Sequence, residues 1–367
     1  MNIQKKFLLP TFKVLQWVKI ALVLVLLFGL IKVSLNLVKN RGIVHNAVLL
    51  GQENAIWSES IFFKGYNPST LQPLTDQYIR NFANQLKDNN IKYAYIFGGP
   101  FQKDGHLPGY IFSDTAKHSI QRLKELYPGL VVLPWIGGLE NKTLFLHDSL
   151  WIKNAIADCK KVVPFLGVTG LHLDFEYIIP GIPSLDAEVA PNTPEDMAAY
   201  PGYVNAFFKQ LRDTLPHAFI STVVTSTCPA SVHWKRKTTV AELTDLVPYV
   251  DQLNFLFYDT AIDDTTVYRK SAELLMKDIQ YLKRHSNAQM LVSIATFTNP
   301  VQYERFHNLK VENIPNALET IKKAAIKISP NEKILSGISI FCNWETSRHQ
   351  WKDINKHYTT FANDIWF

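Results

Sequence analysis

A chain of 367 residues with 47% hydrophobic and 12% aromatic content can bury one large core or two ordinary ones. Its formal charge of +6 is spread along the chain without the dense basic run that nucleic-acid binding requires. The three cysteines, Cys159, Cys228 and Cys342, are odd in number and far apart, which excludes a disulfide framework and a zinc-finger pattern and leaves buried thiols.

The N-terminus carries the first organised signal. Ile20 to Ile31 is an unbroken apolar run, and the apolar stretch reaches Val38 with Lys32 as its only charge. A span needs about 20 residues, which 20–38 nearly provides if Lys32 snorkels. Lys5, Lys6, Lys13 and Lys19 precede it, and neither a small-x-small cleavage site nor a lipobox cysteine follows. The expectation is a short cytoplasmic tail (1–19), an uncleaved signal anchor (20–38), a linker (39–45) and an exported domain (46–367). Lys39 and Arg41 weaken the charge asymmetry that sets this orientation.

From residue 45 onward short β-rich runs alternate with helical patterns, the mark of βα units on a parallel sheet. The predicted strands are Tyr93–Phe97, Val131–Trp135, Gly170–Phe175, Phe219–Val224, Gln252–Phe257, Met290–Ala295 and Gly337–Phe341. Helices are predicted over Tyr78–Lys87, Ala116–Leu126, Leu150–Val162, Val204–Leu215, Ala272–Arg284 and Ala317–Ile328, with Asp76, Asp114 and Ser149 as caps. A first strand belongs between residues 47 and 63, where Ala47–Leu50 and Ser60–Phe63 compete. Eight strands alternating with helices predict an α/β chain with a (β/α)8 TIM barrel behind the transmembrane segment. A doubly wound open sheet is the alternative, but no Gly-rich phosphate loop follows an early strand. Ile178 to Tyr203 holds five prolines and reads as a long βα loop.

The fourth strand is the chemically unusual one. In Gly170-Leu171-His172-Leu173-Asp174-Phe175-Glu176-Tyr177, alternation puts Leu171, Leu173 and Phe175 on one face and His172, Asp174 and Glu176 on the other. A barrel strand is buried on both faces, so this polar row carries a desolvation cost that marks functional sites. Asp174 and Glu176 stand at the strand's C-terminal end, where this architecture places its chemistry. Two neighbouring carboxylates have their titrations pushed apart, which suits acid catalysis of glycosidic cleavage. Trp57, Tyr66, Phe97 and Trp135 are candidates for a sugar-binding groove.

This strand, in the register Thr169-Gly170-Leu171-His172-Leu173-Asp174-Phe175-Glu176, resembles the D-G-x-D-x-D-x-E motif of the glycoside hydrolase family 18 chitinases, with Thr169 and His172 in place of the first two aspartates. Three further stretches are similar to family strands. Val131–Gly138 resembles a third strand ending S-x-G-G, with Trp135 at the serine. Leu253–Asp259 resembles a sixth ending M-x-Y-D, with Leu256 at the methionine. Gly337–Phe341 resembles an eighth ending in tryptophan, with Phe341 there. The resemblance implies a retaining, substrate-assisted hydrolase acting on N-acetylglucosamine-containing oligo- or polysaccharides. It implies Glu176 as the acid, Asp174 as the group that orients the substrate's acetamido nitrogen, and Tyr258 as a donor to its carbonyl. Asn254 and Asp259 would line the same subsite, with Phe341, Trp344 and Trp135 as its apolar surfaces. His172 would support Asp174 as a neutral donor or as an imidazolium. No cofactor, no metal and a monomer are expected. The competing readings are a catalytically weak sugar-binding protein on the same barrel, and an Asp174–Glu176 pair that holds a cation.

Overall fold

The computed structural model describes residues 23–35, 53–176, 194–225, 238–297 and 307–363. Eight parallel strands close into a barrel in chain order: β1 (Asn54–Ser58), β2 (Ile91–Pro100), β3 (Val131–Leu139), β4 (Gly170–Glu176), β5 (Phe219–Thr225), β6 (Gln252–Leu256), β7 (Gln289–Ala295) and β8 (Gly337–Phe341). Each strand is followed by a principal helix: α1 (Asp76–Asp88), α2 (Asp114–Leu126), α3 (Ser149–Leu166), α4 (Pro194–Thr214), α5 (Val240–Leu246), α6 (Thr265–His285), α7 (Ile314–Ile328) and α8 (Arg348–Asn363). The chain is therefore a (β/α)8 TIM barrel.

Closure joins the two ends of the domain. Ala55 and Ile56 of β1 pair with Ser339 and Ile340 of β8. The amide of Ile338 donates to the Asn54 side chain at 3.1 Å, and that of Glu53 donates to the Ser336 carbonyl at 3.1 Å. Alternation along the strands then builds two cores. Outward residues such as Ile56, Ile96, Leu171, Leu173, Phe255 and Ile340 pack under the helices. Inward residues, among them Trp57, Tyr95, Leu133, Leu256 and Leu291, fill the barrel.

The sequence expectations for β2 to β8 agree with the structure to within a few residues, and four others need correction. The first strand is Asn54–Ser58, between the two candidates. Ser60–Phe63 instead enters a single helical turn whose Ile61, Phe62 and Phe63 are buried, and Ala47–Leu50 lies outside the described residues. The caps fall one residue earlier than expected, at Thr75, Ser113 and Asp148, because extended backbone there lets each side chain accept from amides of the first turn. The C-terminal part of the proline-rich stretch is helical, since α4 begins at Pro194, where a missing N–H is tolerated. Two helices, α5 and α8, had no counterpart in the sequence reading.

Of the predicted anchor, residues 23–35 are helical with exposed apolar side chains; its ends lie outside the described residues. Among the described residues no helix is long and apolar enough to cross a membrane. Of the cysteines, Cys159 and Cys342 are buried free thiols, and burial pushes both thiols up; Cys228 lies outside the described residues.

The shifted caps give a direct test. The Asp148 side chain accepts from the amides of Leu150 and Trp151. Asp148→Ala is expected to lower stability by about 1 kcal/mol in denaturant titration, and Ser149→Ala by less than about 0.5 kcal/mol; equal losses would return the cap to Ser149.

Candidate active site at the barrel mouth

The polar row of β4 points into the barrel, as alternation requires. His172 is wholly buried, while Asp174 and Glu176, nearer the C-terminal end, are only partly so. The His172 ring stacks on Tyr95 with centroids 3.8 Å apart and meets Trp57 edge-on at 4.6 Å. Its Nδ1 lies 2.7 Å from the Ser221 hydroxyl. That hydroxyl donates to Gln252 Oε1 at 2.6 Å, so the imidazole carries its proton on Nδ1 and donates it to Ser221. Burial holds the His172 pKa well below its usual value. The ring is neutral, so the imidazolium expectation gives way to desolvation, and its one proton is directed to Ser221 rather than to Asp174.

The support of Asp174 comes from the neighbouring strand. Trp135 donates its indole N–H to Asp174 Oδ2 at 3.0 Å. Strand register explains this reach, because Trp135 pairs with His172 and Gly137 with Asp174 across β3 and β4. Gly137 is required there, since a Cβ would collide with the Asp174 carbonyl, and Gly138 takes a φ of 152°, open to glycine. Trp135 was expected as a sugar platform; its polar edge has a second employment that composition and spacing do not reveal.

The sixth strand delivers Tyr258 to the same mouth. Its phenol pKa is raised well above normal by burial and by the negative charges of Asp259, Asp174 and Glu176, so the hydroxyl stays protonated and able to donate. Its ring stacks parallel on Phe341, with centroids 5.2 Å apart and planes 5° apart. Trp344, 41% exposed, packs edge-on against Phe341 at 5.7 Å. Glu176, Asp174, Tyr258, Phe341, Trp344 and Trp135 thus converge on one end of the barrel.

Two expected subsite residues are engaged elsewhere. Asn254 is fully buried below Leu256, where its Oδ1 accepts from Ser293 at 2.6 Å and Ser339 at 3.0 Å. Asp259 lies in a left-handed backbone conformation, φ 52°, and turns toward the loop before α7. Its carboxylate meets His307 Nδ1 at 3.1 Å, and the same nitrogen lies 2.9 Å from Glu312 Oε2. Glu312 also accepts from the amides of Asp259 and Thr260, each at 2.8 Å. Burial opposes charge on His307, but hydrogen bonds and charge from Asp259 and Glu312 outweigh it and push its pKa up to about 9. This trio has donor types that suit a metal ion; its hydrogen bonds form a clasp that ties the end of β6 to the segment entering α7.

Of the other groove aromatics, Trp57 is only 1% exposed and donates to Ser339 Oγ at 3.2 Å, so it is barrel core. Phe97 packs on Trp135 at 4.5 Å. Tyr66 is exposed, in an isolated bridge with Pro73.

No protein-family model matches the sequence, and no curated protein matches it. The architecture has clear counterparts among solved structures. The barrel is the form shared by chitinases and by a spore cortex-lytic enzyme. The Bacillus cereus spore cortex-lytic enzyme SleL superimposes with a TM-score of 0.52 at 13% identity, covering 84% of this chain and 74% of that one. The Rhizomucor miehei chitinase gives 0.52 at 13%, with coverage of 83% and 100%. The Ostrinia furnacalis Group IV chitinase gives 0.52 at 11%, with coverage of 84% and 100%.

The two histidines make opposite demands on pH. His307, raised from 6.5 to about 9, contributes stability that is fully present below about pH 6.5 and is lost as pH rises toward 9. His172, lowered from 6.5, contributes stability present above about pH 6.5 and lost as pH falls through its folded value. Denaturant midpoints against pH should decline on both flanks. His307→Gln should remove the alkaline decline and leave the acid one; an unchanged alkaline flank would refute the clasp's charge state.

Proposed function

We propose that this protein is a glycoside hydrolase that cleaves β-linked N-acetylglucosamine-containing glycans with retention, using the substrate's own acetamido group as nucleophile. The observation that carries this reading is the Asp174 carboxylate, fixed by the Trp135 indole beside Glu176 at the C-terminal end of β4. The solved structures that share the fold include chitinases and a cortex-lytic enzyme, whose names point to the same substrate class.

Each step follows from a residue's surroundings. Glu176, at the rim, protonates the leaving glycosidic oxygen. The acetamido carbonyl oxygen attacks the anomeric carbon as that bond breaks, giving an oxazolinium ion. Asp174 orients the acetamido N–H and offsets the positive charge that develops there, and a preorganised ionic contact of this kind contributes several kcal/mol. Tyr258, kept protonated, donates to the acetamido oxygen. Glu176, now a carboxylate, accepts a proton from the water that opens the oxazolinium and restores the acid. Because His172 is neutral and turned to Ser221, a fixed hydrogen bond from Trp135 takes the place of a second carboxylate sharing a proton with Asp174.

The same reading places the barrel on the exported side of a membrane, tethered by residues 20–38. Support comes from the apolar side chains exposed along residues 23–35, such as Phe28 at 73%.

The test is turnover of fluorogenic N-acetylglucosamine oligosaccharides by the intact chain in detergent, with and without a chelator. Glu176→Gln should abolish turnover while leaving glycan binding, and chelation should change nothing. Saturable binding without turnover in the unaltered chain would make this a sugar-binding barrel, and a metal requirement would favour a cation at Asp174 and Glu176. Trp135→Phe, which keeps a ring and deletes the N–H to a charged acceptor, should lower kcat roughly 10- to 100-fold with little change in KM. An equal rise in KM instead would assign Trp135 to substrate binding.

A further inference from the structure

Tyr258 stands just past the end of β6, beyond the pairing that fixes the strand itself. Phe257 still donates its amide to the Ser293 carbonyl of β7 at 3.0 Å. The chain then turns sharply, with Asp259 and Ala261 both in the left-handed region at φ 52° and 56°. That region is costly for a residue with a Cβ, and such backbone persists where its surroundings over-determine it. The Tyr258 hydroxyl makes no hydrogen bond among the described residues. Its aim is therefore set by the contacts of its ring and by the backbone behind it.

What holds that backbone is a carboxylate from the following βα unit. Glu312 is buried just ahead of α7. Its Oε2 accepts from the Asp259 amide and its Oε1 from the Thr260 amide, each at 2.8 Å, and the Thr260 hydroxyl also donates to Oε1. One side chain thus grips two consecutive residues directly behind Tyr258, and hydrogen bonds to a charged acceptor are about twice as strong as neutral ones. His307 adds a second hold, with Nδ1 at 2.9 Å from Glu312 Oε2 and 3.1 Å from Asp259 Oδ1. Its ring also reaches Tyr258 by another route. It packs on Phe297 at 4.3 Å, and Phe297 meets the Tyr258 ring edge-on at 6.4 Å.

We propose that Glu312 and His307 are positioning residues for Tyr258, which set the place of its hydroxyl at the barrel mouth through the Asp259–Thr260 backbone. The hold is a matter of geometry; that the hydroxyl serves an acetamido oxygen rests on the hydrolase reading. Asp259 then contributes to the site as an anchor for its neighbour, without touching sugar. Misplacing a group that acts on the reacting atoms by about 1 Å costs up to roughly 100-fold in rate, so a hold at this distance from the chemistry has a kinetic signature.

The experiment uses the intact chain in detergent, with tyrosine rings labelled with carbon-13 and followed by NMR. The Tyr258 signal, assigned by its loss in Tyr258→Phe, carries the ring-current shift of its stack on Phe341 and so reports its placement. Glu312→Gln keeps size and shape but turns an amide nitrogen toward donors that now meet oxygen, and it should move this signal. His307→Gln leaves the Asp259 and Thr260 donors to Glu312 and carries the same readouts should Glu312→Gln not fold. Asp148→Ala, which removes a distant helix cap, should lower stability and leave the signal still. On fluorogenic N-acetylglucosamine oligosaccharides, Glu312→Gln should lower kcat about 10- to 100-fold with KM little changed. In a Tyr258→Phe background the same substitution should cost no further kcat, because the group it positions is gone. A Tyr258 signal that stays put in the folded variants overturns the positioning role, whatever the turnover. So does a loss of kcat that is equally large in Tyr258→Phe. A signal that moves, in a chain whose unaltered form turns over no N-acetylglucosamine substrate, would sink the hydrolase reading and leave the hold on Tyr258 standing.

Discussion

The interior of a closed barrel has no water to satisfy polar side chains, and this one contains many. His172, Ser221, Gln252, Asn254, Ser293 and Ser339 are all essentially inaccessible. Most of their polar atoms pair with one another, His172 Nε2 and Asn254 Nδ2 excepted: Tyr95 and Ser221 both donate to Gln252 Oε1, at 2.5 and 2.6 Å, and Gln252 donates onward to Gln289 at 2.9 Å. Gln289 in turn donates to Glu53 at 3.2 Å, where Tyr93 and Lys92 also converge. The chain of hydrogen bonds thus runs from beneath the barrel mouth to the opposite face. Hydrogen bonds shared through such a chain polarise one another and favour one arrangement of its members.

That constraint decides the chemistry above it. With its proton committed to Ser221, the His172 ring does not share one with Asp174. A sideways hydrogen bond reaches Asp174 from β3, where the Trp135 indole N–H donates to it. An indole N–H never changes protonation, so the hold on Asp174 is constant with pH, whereas a shared proton would vary. Tyr258, surrounded by carboxylates, is likewise fixed in its protonated form. On the hydrolase reading proposed above, these fixed donors stand around Glu176, the carboxyl assigned the proton transfers.

Much of this was legible in the residues. Strands buried on both faces read as apolar runs, so β2 to β8 stand out, and the polar row of β4 stands out against them. The first strand did not, because Asn54-Ala55-Ile56-Trp57-Ser58 is short, polar at both ends and flanked by a more apolar stretch that turns helical under the sheet. The pairing of Trp135 with Asp174 depends on inter-strand register, which alternation within either strand does not contain. The clasp of Asp259, His307 and Glu312 was equally hidden: its members stand on different loops, and an M-x-Y-D match says nothing of what the aspartate will meet.

Barrel closure carries a further consequence for how the molecule comes into being. The ladder between β1 and β8, and the Asn54 side chain that accepts from Ile338, join residues separated by most of the domain. Until the last strand is made, the first has one open edge, and so does whichever strand has emerged most recently. Those edges are sticky templates, and contacts of such sequence separation form slowly. A chain cut before β8 would lose more than one strand's worth of contacts, because its barrel would become an open sheet with two unsatisfied margins.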